Sequence, residues 1–405
     1  MIMYTAGLYN LGIAFNPTVF MPRLVGSMAV STLLGALYFY LVVTSPITPR
    51  RVLAYIIVFW FLGLCAWRIG YGKLARHLIP RSQVAFIGLD TTTNEVIEEI
   101  VAKPALGFAP ALIYDPSGGK IQEGTGSSAG GIPSCSSMKE FTRSVIAQGI
   151  STIVLSDHER LGETDKRALF GLIAHHIRFE HLPDFYEAIM RRIPLGNIND
   201  LWFLEHIDLA SGDPYRLIKR IADIMIAVVG LTLTLAFFPL FAAGILLESR
   251  GPVFFIQQRL GYNAKPFKLY KFRTMRIAGN DQSPTTDRDP RVTRFGGFMR
   301  GSRLDELPQL WNVLIGQMSI IGPRPERPEL VAELTEKVPY YTQRLLAKPG
   351  LTGWDQVSGE YHSPSVEDTY KKLQYDLYYV KNMGLFLDTS IFFKTIFTVF
   401  MRAGL

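Results

Sequence analysis

The sequence predicts a membrane-associated α/β protein in three parts. An N-terminal transmembrane helical hairpin comes first, then a small α/β module with a parallel sheet, then a C-terminal, mainly α domain that carries a re-entrant membrane helix. Three observations predict this. Charge-free apolar stretches are confined to a few places, strand-like and helix-like segments alternate between them, and basic residues gather beside the last long stretch. The 405 residues are 48% hydrophobic and 19% charged, with 42 Lys+Arg against 35 Asp+Glu and a net charge of +7. Mean hydropathy is +0.17. That composition excludes a disordered chain, and it holds too many charges for a polytopic transporter. Cys65 and Cys135 stand far apart in the chain and build neither a disulfide framework nor a cysteine-based zinc site. The basic excess alone suits nucleic acid, anionic lipid or phosphate-bearing substrates equally.

The hairpin rests on residues 24–43, 20 residues without a charge, and on the shorter apolar stretch 52–67, bounded by Arg50, Arg51 and Arg68. The first is long enough to cross a bilayer as a helix, and the Pro- and Thr-rich linker 44–49 between them favours a turn. A buried helical hairpin of a soluble domain is the alternative. The first stretch starts too far into the chain for a signal peptide and lacks a small-residue cleavage site.

Residues 81–210 read as the α/β module. Residues 84–89, 112–114 and 152–155 are apolar strands, and a helix through Val96, Ile97 and Ile100 is capped by Thr91 or Thr92. Residues 117–137 form a Gly/Ser-rich loop. After the first strand stands Gly88-Leu89-Asp90-Thr91-Thr92-Thr93, without the glycines that let backbone approach a pyrophosphate. A regulatory or assembly role without nucleotide chemistry follows. His175, His176 and His181 have no carboxylate spaced to join them and read as surface residues.

The third apolar stretch, 224–247, has 24 residues, no charge, and Pro239 within it. Basic residues flank both ends: Arg216, Lys219 and Arg220 before, Arg250, Arg259 and Lys265 after. A spanning helix places its basic residues mostly on one side, so both ends are expected in the cytoplasm. Pro239 removes a backbone donor and kinks a helix. A re-entrant helix–break–helix over 221–248 is therefore expected, with an ordinary kinked span as the alternative. Residues 385–397 are apolar but interrupted by Asp388 and Lys394, which suits either an interfacial helix or a core helix.

Between Arg259 and Arg303 eleven basic residues face three acidic ones, with Tyr262, Phe267, Tyr270 and Phe272 interleaved. Such a run binds single-stranded nucleic acid in some proteins. Directly after a membrane-inserted stretch, lipid headgroups and phosphorylated substrates explain it with fewer assumptions. Next come Leu304, Asp305, Glu306, Leu307, Pro308 and Gln309. Proline is cheap only in the first turn of a helix, so a helix is predicted from Asp305, with Leu304, Leu307, Trp311 and Leu314 as its buried stripe. Its N-terminus would keep a carboxylate ionised and meet an incoming phosphate. Adjacent helical positions diverge by about 100°, so one acid can attack while the other holds a divalent cation bridging phosphates. A plain cap with a first-turn acid is the simpler alternative. Arg324, between Pro323 and Pro325, is presented with little entropy left to lose, as a bidentate phosphate ligand would be. Lys348-Pro349-Gly350 opens a second rigid turn bearing a cation.

Taken in order, these segments resemble the polyisoprenyl-phosphate hexose-1-phosphate transferases, the monotopic phosphoglycosyl transferases of bacterial exopolysaccharide and O-antigen assembly. The resemblance covers roughly residues 215–405 and rests on named segments. These are Lys219-Arg220-Ile221-Ala222-Asp223, Gln258-Arg259-Leu260-Gly261, Lys271-Phe272-Arg273-Thr274-Met275, Leu304-Asp305-Glu306-Leu307-Pro308-Gln309-Leu310, Gly322-Pro323-Arg324-Pro325, Lys348-Pro349-Gly350-Leu351-Thr352-Gly353-Trp354 and Asp376-Leu377-Tyr378-Tyr379-Val380. The N-terminal half is similar to the larger members, which add membrane helices and a Rossmann-like module; Asp184-Phe185-Tyr186-Glu187 and Trp202-Phe203-Leu204 carry that likeness. Larger members carry four N-terminal spans where two are found here. The family also has Ala-Gln-Val where this chain has Asp355-Gln356-Val357.

The resemblance implies domains at 1–80, 81–210 and 211–405, the last catalytic. It implies transfer of a sugar-1-phosphate from a UDP-sugar to undecaprenyl phosphate at the inner face of the bacterial inner membrane. Asp305 would be the nucleophile and Glu306 a ligand of Mg²⁺. Arg324, Lys271, Arg273, Arg259, Lys348 and Gln309 would bind substrate, while Lys219, Arg220, Asp223 and Pro239 would set the re-entrant helix. The partners expected are the two substrates, inner-membrane lipid and a homodimer mate, with no nucleic acid. A non-catalytic membrane-anchored binding or signalling module is the competing reading, and an oxidoreductase or epimerase in the middle module is a third.

Overall fold

The computed structural model describes residues 81–115, 131–156, 161–207, 214–276, 289–358 and 365–401, with isolated helical positions between 24 and 70. Most of the expected N-terminal hairpin and of the Gly/Ser-rich loop lies outside the described residues. Of the hairpin, Leu24 and Met28 are helical and buried, whereas Tyr55, Phe59, Leu62 and Trp67 are helical and exposed. The chain divides into two compact units, 1–199 and 200–405.

In the first unit five parallel strands form a sheet in the order β3-β2-β1-β4-β5. They are β1 Ser82–Ile87, β2 Phe108–Tyr114, β3 Ser134–Cys135, β4 Thr152–Leu155 and β5 Arg178–His181. Val84, Ala85, Phe86 and Ile87 at the centre are all buried, because a parallel strand is covered on both faces and reads as a continuous apolar run. Ala85 and Ile87 pack with Phe141 and Val145 of α2 (Met138–Ala147). Val84 and Phe86 face Val96, Ile97 and Ile100 of α1 (Thr91–Ala102) and Phe185 of α4 (Leu182–Met190). Helix α3 spans Glu163–Gly171. The cap of α1 is Asp90, not Thr91 or Thr92: Asp90 has extended backbone and its Oδ1 accepts from the Thr93 N–H at 2.6 Å. His175, His176 and His181 are exposed.

The second unit begins one short helix earlier than the sequence suggests. In α5 (Asp200–His206), the Phe203 ring meets the Tyr340 ring at 4.8 Å, and Lys381 lies over Trp202. Helix α6 (Pro214–Glu248) follows, 35 residues long. The expected break at Pro239 is not seen: the helix continues through it. One missing N–H costs a single backbone bond, and the turns on either side stay packed. Tyr215, Asp223, Ala227, Thr234, Phe241 and Ile245 are its buried residues. Their spacing of four, seven and eight draws one stripe along the helix. Leu217, Val229, Leu233, Leu235, Leu240 and Leu247, off that stripe, are apolar and exposed.

The antiparallel hairpin β6 (Phe254–Leu260) and β7 (Pro266–Phe272) comes next, then α7 (Arg294–Gly301) and α8 (Gln309–Leu314). Strand β8 (Ser319–Ile321) pairs in parallel with β9 (Gly350–Thr352), and between them lies α9 (Pro328–Lys337). Beyond β8 the chains cross so closely that a Cβ at Gly322 would lie 2.1 Å from the Lys348 carbonyl oxygen, and one at Gly350 2.1 Å from Gly322 N. Only glycine fits at both places. Helices α10 (Val366–Lys381) and α11 (Leu385–Met401) close the unit. The two charges of α11 turn toward the domain. Asp388 accepts from Lys219 at 2.7 Å, Tyr215 at 2.8 Å and Tyr379 at 2.9 Å; Lys394 sits 4.4 Å over Trp354.

Candidate active site

Strand β7 is buried toward both faces at its end. Phe272 packs on Phe241 of α6, while Lys271, one residue earlier, points the other way. It reaches the acid pair, which lies not in a regular helix but in a 3₁₀ turn, Leu304–Glu306. Helix α8 starts only at Gln309, with Pro308 at its N-cap. Without an N–H, Pro308 cannot bond back along the chain, and its neighbours close three-residue turns instead: Leu307 N to Leu304 O at 3.3 Å, Trp311 N to Pro308 O at 3.1 Å. The phase of the buried stripe changes accordingly. Leu310 and Val313 are inside and Trp311 is half exposed.

Glu306 Oε1 accepts from Lys271 Nζ at 2.9 Å and from Arg324 Nη2 at 3.0 Å, and Arg303 Nη1 stands 3.9 Å from Oε2. Arg324 is fixed by more than its prolines. Its carbonyl accepts from Arg344 at 2.9 Å, and Arg344 pairs with Asp376 at 2.7 Å, both side chains 2% exposed. Arg259 donates to Pro325 O at 3.0 Å and pairs with Glu326 at 3.2 Å, which also pairs with Lys372 at 2.9 Å. Asp305 is equally buried, yet among the described residues no donor reaches its carboxylate.

The two neighbouring acids are therefore driven apart. Burial opposes the charge of Glu306, but Arg324 and Lys271 outweigh it and hold the carboxyl at about 2. For Asp305 burial comes first, the Glu306 charge adds to it, and its pKa rises above the ordinary aspartate value despite Lys271, Arg300 and Arg324. The sequence expectation of a carboxylate settled by a helix N-terminus does not describe Asp305. It is the less stabilised anion of the pair and the more basic carboxylate.

The other expected residues separate into groups. Gln309 is buried three residues past the turn. Arg273 is buried and donates to the Ser249 and Arg250 carbonyls, which ties the end of α6 to the strand β7. Lys348 lies by Arg220, Asp223 and Lys219, away from the acids; burial and the Arg220 charge lower its pKa. Lys219 donates to Asp388 and the Ile321 carbonyl, Arg220 to the Val313 and Leu314 carbonyls, both at 2.7 Å, and Asp223 accepts from Ser319 Oγ and Ile320 N. That motif staples the start of α6 to the domain. Arg300, Arg303, Glu326, Arg344 and Asp376 were not singled out as site residues. The basic count around the acids takes in the first two and the segment Asp376-Leu377-Tyr378-Tyr379-Val380 takes in Asp376, but nothing local signals Glu326 or Arg344.

Among the described residues no group of three or more His, Cys, Asp or Glu could form a metal cage. Mg²⁺ commonly needs only one or two carboxylates plus substrate phosphates. The adjacent Asp305 and Glu306, with Glu306 Oε2 held only loosely by Arg303, fit that limited role. In the first unit, Asp90 Oδ2 accepts from Ser156 at 2.9 Å and Asn197 at 2.8 Å. An acid occupies the end of β1 where a dinucleotide-binding module receives phosphate.

Comparison with known proteins adds two families and several relatives. The bacterial sugar transferase family matches residues 214–402 and a family described as CoA-binding domain matches residues 5–156. A UDP-N-acetylgalactosamine-undecaprenyl-phosphate N-acetylgalactosaminephosphotransferase of Aeromonas hydrophila is 38% identical over 62% of this chain and 58% of its own length. A UDP-glucose:undecaprenyl-phosphate glucose-1-phosphate transferase of Escherichia coli (strain K12) is 31% identical over 83% of this chain and 71% of its own. An exopolysaccharide production protein of Rhizobium leguminosarum bv. phaseoli is 41% identical over 46% of this chain and 96% of its own.

Proposed function

Because the chain belongs to the bacterial sugar transferases, the polyprenyl-phosphate sugar phosphotransferases, we propose that it moves a sugar-1-phosphate from a UDP-sugar to undecaprenyl phosphate, starting a surface polysaccharide. The observation that carries this reading is the contrast within the acid pair. Asp305 is buried and met by no donor among the described residues, while Glu306 beside it is fixed by Lys271 and Arg324. One group can react and the other organises.

An Asp305 oxygen attacks the sugar-bearing phosphorus of the UDP-sugar. A P–O bond forms to the carboxylate, the bond to the uridylyl phosphate breaks, and UMP leaves with the electron pair. A phosphate oxygen of undecaprenyl phosphate then attacks the same phosphorus, freeing the Asp305 carboxylate and giving the diphosphate-linked sugar. Lys271 and Arg324 stand ready to take the transferring oxygens from Glu306, and such electrostatic stabilisation dominates phosphoryl transfer. Mg²⁺, held by Glu306 and the substrate phosphates, would add charge neutralisation at that place.

The membrane reading is supported by how α6 is tied. Its start is stapled through Lys219, Arg220 and Asp223, and its end through Arg273 and through Glu248, whose carboxylate accepts from Phe295 N at 2.8 Å. Both ends belong to one water-facing domain, so the unbroken helix lies against the cytoplasmic side of the inner membrane without crossing it, with its exposed apolar face in lipid. The first unit serves regulation or assembly, including a homodimer, without nucleotide chemistry; the half-buried Asp90 network supports this. The test is incubation of membranes holding the full chain with Mg²⁺, undecaprenyl phosphate and a panel of UDP-sugars. UMP release from at least one sugar, lost in Asp305→Asn, is expected. Silence across the panel, or full activity in the variant, overturns the proposal.

A further inference from the structure

A cleft of about 220 Å³ runs from the acid turn to helix α11. Glu306 and Arg303 stand at one end. Beyond them the walls are mostly apolar, with Leu307, Leu310, Ile320, Leu351, Phe392 and Ile396; of the polar lining, Thr352 and Thr395 bond each other and Gln356 Oε1 accepts from Gly353 N. Its volume is below the roughly 300–1,000 Å³ of a whole small-molecule site, so it holds part of a ligand. Walls this apolar, with their few polar groups already bonded within the protein, are poorly matched to the hydroxyls of a sugar or the edge of a uracil. They suit a hydrocarbon whose only charge lies at the acid end.

Two further features agree. Arg303 has φ 58, a left-handed backbone that glycine adopts freely and arginine does not. Strain of this kind is retained where the surrounding structure uses the side chain. Here it sets a guanidinium, half exposed, at the cleft mouth 3.9 Å from Glu306. Leu310, which walls the cleft, also abuts α6: a Cβ at Gly230 would come within 2.5 Å of its Cδ1. The cleft is thus separated from the membrane helix by one side chain. Across it, Thr352 and Thr395 share a hydrogen bond of 2.7 Å that holds α11 in place as the outer wall.

We infer that this cleft seats the phosphate end and first isoprene units of the polyprenyl acceptor, with Arg303 meeting the phosphate and α11 covering the chain. The inference rests on the transferase reading, and its test is separable from that reading. The full chain in lipid nanodiscs is irradiated with a farnesyl phosphate carrying a diazirine on its first isoprene. Adducts on residues 351–357 and 392–396, competed by undecaprenyl phosphate, are expected. Adducts confined to α6, or not competed, as a phospholipid acyl chain in the cleft would give, overturn it. This readout needs no turnover, so a chain that releases no UMP would refute the transferase reading and leave the cleft assignment to be decided by the adducts.

A kinetic arm uses Arg303→Gly, which relieves the backbone while removing the cation. Its melting temperature should hold or rise, and its KM for undecaprenyl phosphate should rise about ten-fold, in the range of one lost specific contact, with a much smaller change in the KM for UDP-sugar. Ile396→Trp, filling the far end, should raise the same KM. An unchanged acceptor KM in both variants overturns the inference.

Discussion

At the scale of the residue, two adjacent carboxyls are made unlike by their neighbours. Glu306 is held at about 2 against an ordinary 4.5. The stability it contributes is full above pH 4.5 and is lost as pH falls through about 2. Asp305 is shifted the other way, and in the proposed reaction it attacks as the anion. The acid limb of kcat/KM for UDP-sugar should therefore lie above the ordinary aspartate value of 3.8. Glu306→Gln removes the charge that helps raise it, so the limb should move to lower pH while the plateau falls about 100-fold or more, as loss of an electrostatic organiser does. A pH–rate profile of both proteins checks this, and a limb that stays put or moves up refutes the assignment. The acid pair and Arg324 were legible in the sequence because proline and charge patterns are local. The fate of Arg273 was not, because its partners, the Ser249 and Arg250 carbonyls, are distant in sequence and backbone acceptors leave no mark on composition.

At the scale of the element, Pro308 and Pro239 teach opposite lessons. Proline delayed the start of α8 beyond the acid pair, turning an expected helix into a 3₁₀ turn. In α6 it left the helix unbroken. The difference lies in what holds the neighbouring turns: a continuous packed stripe in α6, and a short turn with few bonds to lose before α8. Strand β3 escaped sequence reading because two residues are too few to show a period, and β5 because Arg178-Phe179-Glu180-His181 holds one apolar residue in four, unlike the equally short but apolar β4. Helix α11 looked ambiguous because its charges interrupt an apolar run, yet Asp388 is the buried hub of Lys219, Tyr215 and Tyr379. Asp388→Ala strands the Lys219 ammonium and should cost about 3–5 kcal/mol. The double variant Lys219→Met/Asp388→Leu should recover most of it. Thermal unfolding of the purified chain measures both, and an additive double variant would remove the pair from the account.

At the scale of the whole molecule, the placement of charge matters more than its sum. The net +7 suited several partners, whereas a basic run beside an apolar helix and an acid pair suits phosphates at a membrane surface. One-sided embedding predicts a topology. With Cys65 and Cys135 replaced, single cysteines at positions 216 and 250 should react with an impermeant maleimide from the same side of the membrane. Labelling from opposite sides would make α6 a span. The doubly stapled helix has a mechanical consequence. A spanning helix meets a thicker or thinner bilayer by tilting. Tied at both ends to a rigid domain, α6 has no such freedom, so the domain and its reactive carboxylate keep one fixed depth below the headgroups. Turnover should then follow the headgroup chemistry of the facing leaflet and be indifferent to acyl-chain length.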